Sequence, residues 1–198
     1  MKKNLAIFFD FIKKLFRSRS MIRTMAVREL KSRYVGSFFG VLWAVLNPVT
    51  EVAIYGTVFG VFFKSTPDPI YQTDSYILVL LCGLVPWQFF AGAVLSSSGS
   101  IISNSNLVKK AVGFPSEILP IITVISNIIN HFISLSILLV IAFFFGKVSV
   151  FMLLVFVYLF FTMVFSIGIG WILSSLSVFL KDVQQVLQLV IMVMFFLT

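Results

Sequence analysis

"RELKSRYVGSFFGVLWAVLNPV" occupies positions 28–49. It opens with Arg28, Lys31 and Arg33, set against the single acid Glu29, with Arg23 just upstream. A Gly-Ser-Phe-Phe-Gly joint follows, and then an apolar run that begins near Trp43. A charged stretch that turns apolar across two glycines reads as a segment on a membrane surface entering the first span. Gly36 and Gly40 permit the turn, and Trp43 falls at headgroup depth, where belt tryptophans sit. A plain anchor to anionic lipid also fits, each cation contributing roughly 1 kcal/mol of attraction.

The rest of the chain supports a membrane reading. Of its 198 residues 60% are apolar and 11% charged, and the mean hydropathy is +1.08. Soluble domains carry about 25% charge. A spanning helix needs roughly 20 apolar residues, and five runs approach that: about Phe39–Phe63, Tyr76–Ser97, Ile118–Phe145, Val148–Leu176 and Val183–Thr198. The expected class is an all-α polytopic membrane protein with an N-terminal interface helix and five spans. The fifth run stops inside apolar sequence, so its remainder and a sixth span are expected beyond residue 198. No separate soluble domain fits. Residues 1–38 are expected to form the cytosolic interface segment, and 39–198 the transmembrane domain.

Before the first span, Leu5, Phe8, Phe9, Ile12, Leu15 and Phe16 share one helical face, flanked by Lys2, Lys3, Lys13, Lys14 and Arg17. Such a basic amphipathic helix lies in the interface plane. Asp10 interrupts the apolar run and no small-residue cleavage site follows, which argues against a signal peptide. Thirteen of the fifteen Lys and Arg fall in alternate connections, and only Lys64 and Lys147 in the others. The N-terminus is therefore expected in the cytosol.

Chemistry-bearing residues are sparse. The lone cysteine, Cys82, excludes an internal disulfide and a cysteine metal site, and no metal site is expected. No G-x-x-x-x-G-K-[ST] phosphate loop occurs, so active transport would draw its energy from another chain. The seven acids are scattered, which disfavours a membrane-embedded lipid or sugar enzyme. Asn47, Glu51 and Tyr55 share a helical face. A carboxylate in lipid is costly, so Glu51 faces protein or a polar path. Asn127, His131 and Ser134 share another face, with Asn130 close by, and fit either interhelical hydrogen bonding or a polar path. Tyr55, Tyr76, Trp87 and Tyr158 are suited to stacking on sugar. Gly56-x-x-x-Gly60 and Ser166, Gly168 and Gly170 offer close helix packing. In the connector "NSNLVKKAVGFPSEILP", Asn106 is placed to cap a short helix through Lys110, ended by Gly113 and Pro115. A short helix parallel to the membrane, with Val108, Val112 and Phe114 available for contact, has the form of a cytosolic docking peg.

Three stretches, "RELKSRYVGSFFGVLWAVLNPV", "NLVKKAVGFPSEILP" and "SVFLKDVQQVLQLV", resemble in that order the signature regions of the membrane (permease) subunit of type-2 ABC exporters for polysaccharide, the O-antigen, capsule and teichoic acid group. In the first, Arg28, Glu29, Lys31, Arg33, Tyr34, Ser37, Gly40, Trp43 and Pro48 match. The resemblance implies a homodimeric transport subunit without its own ATPase site or cofactor. Two copies of a separately encoded ATPase would bind ATP and magnesium. The implied cargo is a polysaccharide linked to undecaprenyl pyrophosphate, crossing the cytoplasmic (inner) membrane. Arg28, Lys31, Arg33 and Tyr34 would form the gate that meets the pyrophosphate. Asn47, Glu51, Tyr55, Trp87 and His131 would line the channel. A coupling helix at about 104–116 would present Asn106, Leu107, Val108, Lys109, Lys110, Val112 and Phe114 to the ATPase, with Lys181 and Asp182 as a second cytosolic contact. A drug or lipid exporter of the same superfamily is the alternative.

Overall fold

In the computed structural model, which describes residues 10, 13–62, 66–68, 70, 75–110, 114–147 and 149–197, the chain folds as helices. Residues 13–17 are helical; the remainder of the expected amphipathic start, residues 1–9, 11 and 12, lies outside the described residues. The first full helix, α1, is Arg19–Tyr34. It stops because Val35 turns extended and Gly36 takes φ +82°, a left-handed conformation that only glycine adopts at little cost. Gly40, at φ +51°, makes the second bend and opens a tight turn, Gly40–Leu42, into α2, Trp43–Tyr55. The expected hinge is thus where the chain turns.

The first apolar run is not one regular helix. Pro48 lies inside α2 and removes a backbone donor. From Gly56 to Phe62 the chain widens to a π-helix. Then come α3, Tyr76–Ser98, the short α4, Ser100–Ser103, and α5, Ser105–Lys110. The long α6, Ile118–Phe144, α7, Leu154–Phe179, and α8, Val183–Leu197, complete the order. Among the described residues α3, α6 and α7 are long and apolar enough to cross a membrane, and α8 is a shorter apolar helix. With α2 and its continuation this is a polytopic all-α architecture.

Lipid gives no hydrophobic reward for helix association, so contact must come from close packing and hydrogen bonds. α3 is the hub. Its Leu78, Leu81, Leu84 and Val85 pack on Leu135, Leu138 and Ala142 of α6 and Leu159 of α7. Phe89 and Ala93 meet Val124 of α6 one level along. At the end nearest α1, a Cβ built on Gly170 of α7 would lie 2.8 Å from Ser97 Cβ and 3.6 Å from Pro120 Cβ. Three helices therefore converge on one absent side chain. Gly168, two residues away, faces open space, while Ser166 is fully buried, so two of the three small residues expected there are in the packing. At Gly56 a Cβ would make only ordinary contact with Ile77, and no close helix crossing is built there. Phe156, Phe160, Phe161 and Ile172 of α7 are exposed, as lipid-facing residues are.

Gly170→Leu is expected to destabilise the bundle by about 1–3 kcal/mol through overpacking, whereas Gly168→Ala changes stability by less than about 0.5 kcal/mol. Thermal unfolding of the detergent-solubilised variants measures the difference; equal effects would contradict the Gly170 seam.

Candidate functional site

The four cationic and aromatic residues grouped as a gate divide between two faces of α1. Arg28, Lys31 and Arg33 are all exposed and Tyr34 is half-buried, but Arg33 and Tyr34 reach side chains of α6. The Arg33 guanidinium donates to Ser126 Oγ at 2.9 Å and to Asn127 Oδ1 at 3.2 Å. It also reaches Glu29 Oε1, one turn back on α1, at 3.3 Å. Ser126 Oγ is placed to donate to the same Glu29 oxygen at 3.2 Å. Tyr34 donates its hydroxyl proton to Asn130 Oδ1 at 3.2 Å. A planar fork of donors suits this arrangement, since one guanidinium serves three acceptors that a point charge would not. Asn127 in turn donates to Thr123 O and to Ser96 Oγ of α3. One hydrogen-bonded chain therefore links α1, α6 and α3.

Below this network an apolar contact docks α1. Ala26 packs with Ile118, Leu119 and Ile122 of α6. Val108 and Phe114 belong to the same cluster. Both are half-buried there, so each gives part of its surface to this cluster and leaves part open. Asn106 and Lys109 are the exposed residues of α5, and Leu107 is half-buried. Lys110 ends α5, and Val112 lies outside the described residues. The cap is also displaced. α5 begins at Ser105, and the amides of Leu107 and Val108 bond the Asn104 carbonyl at 2.9 and 3.2 Å; Asn106 is inside the helix. Asn104 wins because its own side chain is held by Ser100 O at 2.9 Å, which fixes it at the junction with α4.

A residue given no role in the sequence reading, Glu117, ties this end together. Its carboxylate is paired with Lys14, and its carbonyl accepts the Trp171 indole N–H of α7 at 2.9 Å. Partial burial pushes the Glu117 carboxyl up, but the Lys14 hydrogen bond, a backbone hydrogen bond and the Lys14 charge outweigh it and hold the pKa below the ordinary 4.5.

The residues assigned to a channel lie deeper and do not form one row. Glu51 accepts a hydrogen bond from Gln88 of α3. Both border a water-sized void of about 10 Å³ with Pro48 and Ser134. Tyr55 packs on the α3–α6 core and stacks on Phe59. Trp87 is half-buried, 6.1 Å from the Phe195 ring. Asn47 is exposed. His131 is 5% exposed, its ring 5.0 Å from that of Phe89, so within this chain it is packed between helices. Lys181 and Asp182 are exposed in the turn between α7 and α8. Ser96, Ser126 and Gln88 escaped the sequence reading, although the i, i+4 pair Glu29–Arg33 and the position of Ser126 beside Asn127 were the available signals.

The fold and this docked basic helix define a polytopic all-α membrane protein. The chain belongs to the ABC-2 type transporter family, which it matches over residues 20–198. It is 28% identical over 188 residues to the O-antigen export system permease protein RfbA of Myxococcus xanthus, covering 94% of this chain and 70% of that protein. It is 30% identical over 200 residues to a protein of the same description from Klebsiella pneumoniae, covering 100% of this chain and 71% of that one. A shorter similarity, 30% over 86 residues, covers 43% of this chain and 32% of the polysialic acid transport protein KpsM of Escherichia coli.

Truncating Arg33 to Ala is expected to cost about 1–2 kcal/mol, because buried Ser126 and half-buried Asn127 and Glu29 lose a charged donor. Arg28→Ala and Lys31→Ala should change stability by less than about 0.5 kcal/mol. Denaturation of the three purified variants tests this; a harmless Arg33→Ala would dissolve the docking assignment.

The Lys14–Glu117 pair carries a pH signature. A carboxyl whose folded pKa is lowered contributes above its unfolded pKa, and that contribution fades as pH falls through the folded value. The distance between nitroxides at Arg17 and Ser116 should stay narrow at neutral pH and broaden only on acidification below about 4.5. Glu117→Gln should broaden it at every pH. A distribution unaffected by both would show that the pair does not hold the N-terminal segment.

Proposed function

We propose that this chain is the membrane subunit of an ATP-driven exporter of lipid-linked, O-antigen-like polysaccharide across the cytoplasmic membrane. The observation that carries the reading is similarity across nearly the whole chain to proteins described as O-antigen export permeases. In this reading the chain works as a homodimer, with its N-terminus cytosolic. Two copies of a separate ATPase supply the ATP and magnesium chemistry, and this chain carries no cofactor. The cytosolic end of the bundle is then the end bearing α1, α5 and Glu117.

In this reading the residues of that end divide the tasks among them. Arg28 and Lys31, exposed on α1, are free to meet a pyrophosphate at headgroup level. Arg33 and Tyr34 hold α1 at a fixed rotation against α6, so that those two cations face outward. The exposed residues Asn106 and Lys109 of α5, with Lys181 and Asp182 in the neighbouring turn, are the contacts offered to the ATPase.

In cells lacking their own exporter, the chain with its ATPase should restore surface polysaccharide. Arg28→Lys should lower export per copy several-fold with assembly unchanged, since arginine grips phosphate by two donors and lysine by one charge. Lys109→Glu should instead reduce ATPase recovery in pull-down from membranes. The purified chain alone should hydrolyse no ATP. Export that never appears, or ATP turnover by this chain alone, would overturn the reading.

A further inference from the structure

We propose that the cleft between the end of α3 and the start of α8 binds a neutral polyhydroxyl ligand, one or two sugar units of the exported chain. This rests on the functional reading above and names where the saccharide is held, as distinct from its anionic head. The cleft has a volume of about 370 Å³, within the range of about 300–1,000 Å³ usual for small-molecule sites. Gln184 and Gln188, one turn apart on α8, face Ser96, Ser98 and Ser103 across it. Among the described residues that line it, none is charged.

Each polar group there is prepared in a particular way. Ser96 Oγ donates to Gly92 O, Ser98 Oγ to Leu95 O at 2.7 Å and Ser103 Oγ to Gly99 O at 3.0 Å. Their protons are committed to the backbone, and Ser98 is buried; half-buried Ser96 and exposed Ser103, which already accept from Asn127 and Asn104, each keep a second lone pair for a ligand hydroxyl. The two glutamine amides each supply donors and an acceptor, the complement of hydroxyls that both give and receive. Leu95 and Ile102 add an apolar wall suited to the C–H face of a pyranose. Gly99 leaves room for the Gln184 amide: a Cβ there would stand 2.6 Å from Gln184 Nε2, so a side chain at this position would push the amide aside.

The cleft is also joined to the cationic helix. Ser96 accepts from Asn127, and Asn127 accepts from Arg33. A ligand with an anionic head and a neutral chain would meet charged donors on α1 and uncharged ones in the cleft, on hydrogen-bonded neighbours of one subunit.

The test places a benzophenone amino acid at Ile102, and as control at Ile129 of α6, which is equally exposed at 40%. Each chain is irradiated in cells with its ATPase while polysaccharide is being made, and adducts are probed with antibody to that polysaccharide. Glycan should be trapped at position 102 and not at 129. Gln184→Ala with Gln188→Ala should lower trapping on the order of tenfold, as expected for two lost hydrogen bonds, with membrane abundance unchanged. Gly99→Ala, which displaces the Gln184 amide without removing it, should lower trapping as well. Exporting cells that yield only lipid or protein adducts at 102, or full trapping in both variants, would overturn the cleft assignment alone. Absence of surface polysaccharide with the unaltered chain would sink the export reading, and the cleft with it.

Discussion

Two backbones approach closely where Ser97 of α3 faces Gly170 of α7, and the arrangement of that end of the bundle follows from this approach. In lipid a helix gains nothing by hiding apolar surface from a solvent that is itself apolar, so separation between axes decides whether dispersion contacts are strong. Gly170 sets that separation. Ser97 then has to be satisfied, and Thr123 Oγ1 of α6, 3.0 Å from its hydroxyl, does so. With α6 seated by Thr123 and Pro120, its next turn presents Ser126, Asn127 and Asn130 to α1. The polar dock for the basic helix is thus a downstream result of one small residue two helices away.

That dock changes what the basic residues mean. A cluster of cations beside a membrane span is ordinarily read as attraction to anionic headgroups. Here only part of the cluster is free for that. Arg33 is consumed by three side-chain partners, and Tyr34 by one, while Arg28 and Lys31 remain exposed. The same division runs through the connector after α3, where Val108 and Phe114 pack inward and Asn106 and Lys109 face out. In both segments residues that pack against the bundle are interleaved with residues that stay exposed.

Architecture was legible in the sequence because a bilayer imposes it: every backbone group must be bonded internally, so long apolar runs are helices. The bend at Gly36 and Gly40 was legible for a similar reason, since few other residues take positive φ. The site was only half legible. A cation's type and its place at a membrane surface can be read from the chain, but which face of α1 docks depends on Ala26 fitting against Ile118 and Ile122, a tertiary fact. His131 shows the same gap. Its face with Asn127 and Ser134 was correct as periodicity, yet the neighbour across that face, Phe89, is supplied by another helix. Glu117 went unnoticed because both its partners, Lys14 and Trp171, lie far away in sequence.

The hydrogen bonds from Arg33 and Tyr34 to α6 also determine something that lipid leaves open. A helix in a bilayer meets the same medium on all sides, so only its neighbours distinguish one azimuth from another. Ser126, Asn127 and Asn130 occupy a narrow angular sector of α6, with Ile125, Ile128 and Ile129 around them. Turning α6 by a single residue, about 100°, would put isoleucine in the place of Ser126 or of Asn127 and leave the guanidinium with one α6 acceptor in place of two, besides Glu29 on its own helix. The basic helix therefore acts as a key in a slot, fixing the phase of α6 and, through Asn127 and Ser96, the phase of α3. A rotation begun at either end of that linkage is carried to the other as an angle.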